Sequence, residues 1–192
     1  MAVPPPFPAA DKAALRRELR ARRAALVAGL SEAERAERCA AIERRLRPLL
    51  AREGPIAGYV AHRGEPDILP LLLAAFHLGH RIALPRIDET GAMRFLAWDP
   101  DAPLAPGRAG ILQPVAGEPI APAVILAPLV GFDRAGRRLG QGGGHYDRWF
   151  AAHPEAMRVG VAWAAQELPA LAADPWDMPL HAIATEQEWI EV

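Results

Sequence analysis

Lysine, asparagine, serine and cysteine are almost missing from this 192-residue chain. Of its 22 basic residues only Lys12 is a lysine; there is no asparagine, and Ser31 and Cys39 stand alone. Each absence removes a class of chemistry. A Walker A loop needs a lysine directly after its glycines, and Lys12 lies near the N-terminus, far from any glycine run. A serine hydrolase would have to use Ser31, which has a plainer role below. One cysteine permits neither an internal disulfide nor a cysteine-rich zinc site. The six histidines show no metal-ligand spacing. A formal net charge of −1 gives no general pull on nucleic acid or anionic membrane. No apolar run approaches the ~20 residues of a membrane span, and the opening MAVPPPFPAA lacks the segments of a secretory signal. The expectation is a cytoplasmic protein, with residues 1–10 a flexible tail and 11–192 a single domain.

What is present alternates between helix and strand. Residues 11–30 predict a helix capped by Asp11, with Leu15, Leu19 and Leu26 as its apolar stripe. Ser31-Glu32-Ala33-Glu34 is a capping box opening a second helix, which carries Cys39, Ile42, Leu46 and Leu49. Strands are expected over 56–61, 81–85, 92–98, 124–130 and 158–163, with two more at the C-terminus. Helices are expected over 67–79, 145–152 and 164–173. Residues 99–122 read as a proline-rich excursion within the domain. The alternation implies an α/β fold with a largely parallel sheet.

The richest stretch is GFDRAGRRLGQGGGHYDR, residues 131–148. Four of the five positions Gly140 to Gly144 are glycine, so backbone N–H groups can close in on an anion. The following helix N-terminus favours phosphate. Arg137 or Arg138 can neutralise its charge, and Asp147, one turn into the helix, can hold Mg²⁺ beside it. With His145 at the third glycine position, this is not the dinucleotide fingerprint. The plain alternative is a surface loop with Asp147 steadying a helix terminus.

Other candidates each carry two readings. Lys12, Arg16, Arg20 and Arg23 share one side of the first helix; a solvated basic face is the plainer reading, a set of cations bent toward a site the sharper one. Glu65 follows the first strand, where ligands bind in α/β proteins, and suits an aminopyrimidine-like ring or a loop salt bridge. Asp177 sits in a loop between two prolines, as a second metal ligand or a turn residue. Tyr59 and Trp98 can stack on a flat ligand or pack the core.

Together these segments resemble the 5-formyltetrahydrofolate cyclo-ligase family, over about residues 11–186. The glycine stretch resembles the family's FD-x-x-G-x-RLG-x-GxGYYD-type loop. Lys12-x-x-x-Arg16, the Tyr59 to Glu65 strand end, LPR at 84–86, Gly110-Ile111 with Pro114, Gly160, Gln166 and DMPLHAIATE at 177–186 add to it. The resemblance implies a three-layer α/β/α fold shared with some sugar-phosphate isomerases and CoA transferases. It implies ATP- and Mg²⁺-dependent cyclisation of 5-formyltetrahydrofolate to 5,10-methenyltetrahydrofolate, through phosphorylation of the formyl oxygen. By the same resemblance Lys12, Arg16 and the loop Arg138, Leu139, Gly140, Gln141, Gly142, Gly143, Gly144, His145 and Tyr146 bind ATP. Residues 141–145 also bind the folate with Tyr59 and Glu65, Arg138 and Tyr146 act in catalysis, and Asp147 and Asp177 hold Mg²⁺. Gln141 stands where the family often has arginine, and His145 replaces the first tyrosine of its YYD triplet. With an ordinary imidazole pKa, His145 predicts folate affinity falling below about pH 6.5. The expected partners are small molecules, not nucleic acid or membrane, and the expected state is a monomer. A non-catalytic relative binding a ligand or RNA is the alternative.

Arginine fills every other basic position, so the lysine at 12 implies a need for a compact ammonium against phosphate. Lys12→Arg is expected to raise the KM for ATP; wild-type ATP affinity in that variant would return the lysine to mere composition.

Overall fold

The computed structural model describes residues 12–192; the tail expected over 1–10 and the Asp11 cap lie outside the described residues. Two helices, α1 (Lys12–Ala28) and α2 (Glu32–Leu46), come first. Ser31 caps α2 as its spacing predicts: its Oγ accepts from the Glu34 N–H at 3.3 Å, and Glu34 accepts from the Ser31 N–H at 2.8 Å. Then follow β1 (Ile56–Ala57), α3 (Leu69–His77), β2 (Ile82–Ile87) and β3 (Met93–Ala97). A hairpin of β4 (Leu104–Pro106) and β5 (Leu112–Pro114) precedes β6 (Val124–Pro128). A second small hairpin, β7 (Gly131–Phe132) and β8 (Arg138–Leu139), leads to α4 (His145–Ala152). The chain continues through β9 (Met157–Val161), β10 (Ala182–Ala184) and β11 (Trp189–Glu191).

Seven strands form one sheet in the order β11-β10-β9-β6-β1-β2-β3. The five inner strands run parallel, and β3 and β11 close the two edges antiparallel. Side chains alternate between the faces, as a pleated strand requires. On one face Ile56, Val124, Leu126 and Val159 meet Ile42 and Leu46 of α2 and Leu71 and Leu72 of α3. On the other, Ala57, Ile125, Ala127 and Ile183 meet Trp149 and Phe150 of α4. Covered on both faces, the inner strands are mainly apolar, with Arg86 of β2 and Arg158 of β9 as exceptions, and the architecture is the expected three-layer α/β/α.

β1 leads outward to β2 on one side, and β6, β9 and β10 extend the other way. The adjacent ends of β1 and β6 are therefore a topological switch point, where open α/β sheets leave a crevice. α1 lies over this region. Its Leu15 and Leu19 pack with Val130, Leu139, Leu168 and Leu171, all beyond the C-terminal ends of β6 and β9. The approach is close because Gly131 lacks a side chain: a Cβ there would sit 2.5 Å from Leu19 Cδ1.

Three segments depart from expectation. The strand predicted over 56–61 stops at Ala57. Gly58 still donates to Ala83 O, but it lies tight against Leu72, and the chain then turns off the sheet. The helix expected over 164–173 is a single 3₁₀ turn, Ala164–Gln166. Gln166 diverts the backbone: its Oε1 accepts from the Trp163 N–H at 3.0 Å, and its Nε2 donates to Leu129 O and Val130 O. The excursion over 99–122 contains the β4–β5 hairpin and bridges back to the sheet edge through Pro119 and Leu96.

Losing an N-cap oxygen costs about 1 kcal/mol. Ser31→Ala should therefore lower Tm by about 2–4 °C in a chain of this size and leave turnover unchanged, as thermal unfolding with an activity assay would check.

Candidate functional site

Lys12, Arg16, Arg20 and Arg23 of α1 are turned to partners within the protein, while Arg17 and Arg22 stay exposed. Arg16 Nε donates to Gly140 O at 2.8 Å, and Arg20 Nη2 donates to Gln141 Oε1 at 2.6 Å. Lys12 Nζ lies between Asp174 Oδ2 at 2.7 Å and Asp177 Oδ2 at 3.0 Å. Arg23, two turns beyond Arg16, is buried and faces Glu65 Oε1 at 3.6 Å. Helical spacing thus carries four cations along one line that crosses the glycine loop and ends at the switch point.

The loop itself is held from within. Asp133 is buried and closes the β7–β8 turn, accepting from the N–H groups of Ala135 and Arg137 and from Arg137 Nε at 2.6 Å. Arg137 is thereby committed to the turn, which leaves Arg138 as the loop's inward cation. Its Nη2 donates to Asp147 Oδ1 at 2.6 Å, and its guanidinium lies 5.1 Å from the Phe150 ring centroid. Gly142 (φ 106°) and Gly144 (φ 62°) occupy left-handed conformations that a side chain would strain. Gly144 precedes α4 without a side-chain cap, so the first N–H groups of the helix, at His145 to Asp147, keep their capacity for an anion.

The acids group at the other side of the loop. Asp147 Oδ1 also accepts from the Met178 N–H at 3.1 Å, next to Asp177. Asp177 Oδ2 accepts from the Asp174 N–H at 2.8 Å. Among the described residues no three His, Cys, Asp or Glu side chains cluster as a metal cage.

Electrostatics separate the roles open to these groups. Burial alone would lower the Lys12 pKa, but its hydrogen bonds to Asp174 and Asp177 and their charges outweigh it, so the ammonium is held more firmly than usual. Burial, reinforced by the Glu65 charge and opposed by Arg138, pushes the Tyr146 hydroxyl far up, so it stays protonated. Burial raises the Glu65 pKa, against Arg23, the His62 N–H and Gln141, which favour the anion. Burial lowers the His145 pKa, with Arg148 and Arg108 adding to it.

Lys12, Arg16, Arg138, residues 139–146, Asp147, Asp177 and Glu65 thus lie around one region. Of the two readings for Tyr59 and Trp98, the structure gives both the packing one: each is buried, and the Tyr59 hydroxyl donates to Pro66 O at 2.7 Å. Sequence reasoning gave no role to Asp174, which stands three residues before Asp177 in the same turn; it placed Arg23 with the α1 cations, and the structure adds its partner, Glu65.

The 5-formyltetrahydrofolate cyclo-ligase family model matches residues 8–186. The 5-formyltetrahydrofolate cyclo-ligase of Escherichia coli K12 is 34% identical over 146 residues, 70% of this chain and 80% of that protein. The one from Haemophilus influenzae is 31% identical over 137 residues, 67% and 73% of the two chains. The solution structure of Aquifex aeolicus 5,10-methenyltetrahydrofolate synthetase superposes with a TM-score of 0.80 at 29% identity, covering 94% of this chain and 92% of that one.

The lowered His145 pKa revises the pH expectation drawn from an ordinary imidazole. If neutral His145 is the form that stacks on the substrate, charging it weakens binding as pH falls through a value below 6.5. The folate KM should stay level from about pH 8 to about 6.5 and rise only below that. A rise already complete at pH 6.5 would contradict the shift, and one absent in His145→Phe would assign it to this imidazole.

Proposed function

As the chain belongs to the 5-formyltetrahydrofolate cyclo-ligase family, we propose that it cyclises 5-formyltetrahydrofolate at the expense of ATP, with the α1 cations and the glycine loop as the phosphate site. The observation that carries this reading is the set of contacts from α1 to the loop and its acids. Lys12, Arg16 and Arg20 reach Asp174 and Asp177, Gly140, and Gln141 respectively. Phosphoryl transfer asks for positioning and charge cancellation more than for a covalent nucleophile, and that is what these residues offer.

In this reading the ATP phosphates lie against residues 140–146 and the α4 N-terminus, with Lys12 and Arg16 beside them. Lys12 spends two of its three N–H donors on Asp174 and Asp177, so one remains for a phosphate oxygen. Arg138 meets the transferring phosphoryl group, and Tyr146 donates a hydrogen bond. The formyl oxygen attacks the γ-phosphorus and ADP departs. The neighbouring folate nitrogen then attacks the formyl carbon, loses its proton, and phosphate leaves with the former formyl oxygen. Glu65, at the switch point, holds the aminopyrimidine end of the pterin.

The donor set suits Mg²⁺. Asp147, which accepts from the Met178 N–H, and Asp177 would offer hard oxygen ligands, and Mg²⁺ in phosphate sites takes one or two carboxylates and otherwise water and phosphate oxygens. When bound, the ion supplies neutralisation of phosphate charge.

Purified protein given Mg-ATP and 5-formyltetrahydrofolate should generate the near-ultraviolet absorbance of the methenyl product, with one ADP per turnover. Asp147→Asn should cut the rate even at saturating magnesium, by about tenfold or more. No absorbance change, alongside an active cyclo-ligase control, would reject the assignment.

A further inference from the structure

Arg23 has no part in the phosphate site, yet it is among the most buried charged groups of the protein, 2% exposed. Its Nη1 lies 3.6 Å from Glu65 Oε1 and donates to Leu129 O at 3.4 Å, while its Nε has no partner. A buried guanidinium so incompletely satisfied costs stability, and replacing such a pair with apolar groups is often neutral or stabilising. Something other than stability accounts for it here. Arg23 stands between the ends of β1 and β6, touching the residue that follows one strand and facing the carboxylate that follows the other. It spans the switch point from α1.

Glu65 is itself 5% exposed, and its Oε2 accepts from the His62 N–H at 3.1 Å. Each carboxylate oxygen retains a lone pair after these contacts, so the anion can still accept two parallel hydrogen bonds. A protonated carboxyl cannot. We propose that Arg23 is a positioning residue for the folate: across the switch point it keeps Glu65 an anion of fixed orientation, able to receive both N–H donors of the aminopyrimidine edge. This rests on the reading of Glu65 as the pterin contact. The groups around Glu65 are Arg23 on α1, Tyr59 and His62 on its own segment, Gln141 on the loop with Arg20 behind it, and Tyr146 on α4, while Arg63 and Arg20 act on Arg23. Among the described residues only Arg23 forms an ion pair with it.

Arg23→Met, Arg23→Lys, Glu65→Gln and the double variant Arg23→Met/Glu65→Gln separate the possibilities, with folding checked by thermal unfolding. Arg23→Met should raise the folate KM about tenfold, the size of about 1.4 kcal/mol, and leave the ATP KM unchanged. It should also move the acid limb of kcat/KM for folate up by about one pH unit or more, and Arg23→Lys should move it back. Should Arg23→Met fail to fold, the double variant decides, since it buries no unpaired charge. If Arg23 acts through Glu65, the double variant matches Glu65→Gln in folate KM; a further large rise would overturn the proposal. An unshifted acid limb in a folded Arg23→Met would overturn it too, while leaving Glu65 its pterin role if Glu65→Gln raises the folate KM. A folate KM unaffected by Glu65→Gln would instead remove the pterin reading, and the proposal with it.

Discussion

The contact between Leu19 and the bare backbone of Gly131 decides where everything else can lie. Leu19 is wholly buried, and the space it fills is the space a Gly131 side chain would need. That fit fixes the height of α1 above the C-terminal ends of β6 and β9. Once the height is fixed, a helix rises 1.5 Å per residue and turns every 3.6, so Lys12, Arg16, Arg20 and Arg23 have no freedom about where their stems begin. The apolar stripe supplies the binding energy of the helix, and the polar side of the same helix inherits the alignment.

A second constraint meets the first at the glycine loop. Asp133 ties the β7–β8 turn to Leu171 as well as to Arg137, and the Arg138–Asp147 pair ties the loop to α4. The loop is therefore anchored at both ends, while the glycines between leave backbone rather than side chains facing the cations of α1. Preorganisation of this kind is what electrostatic catalysis asks of a protein, since donors already in place need not be moved as charge develops.

Much of this was legible in the sequence, and the limits have physical reasons. The capping box at Ser31 and the helix at 145–152 were readable because their signals are local: a cap three residues from its partner, a helix framed by glycines and a histidine-proline step. The layer order follows from alternating strands and helices. The early stop of the first strand was not readable, because it depends on Leu72 of α3 lying against Gly58. The vanished helix after Ala164 was lost to Gln166, whose side chain takes two carbonyls far away in sequence, and periodicity carries no trace of such a bond. At the site, the residue types and the loop were visible, but the pairing was not. Nothing in the spacing said that Arg20 would hold Gln141, that Arg137 would turn inward to Asp133 while Arg138 met Asp147, or that Arg23 would face Glu65. Those are tertiary facts, set by where α1 lands.

The company that Lys12 keeps has a practical side. Arginine guanidinium groups do not react with ordinary acylating reagents, so this chain offers them a single side-chain amine. That amine is clamped between two carboxylates in the proposed phosphate site, with only 14% of its side chain exposed. Acylation kinetics of Lys12, followed by peptide mapping so that the α-amine is counted separately, would therefore report on whether the site is open or filled, with no engineered probe.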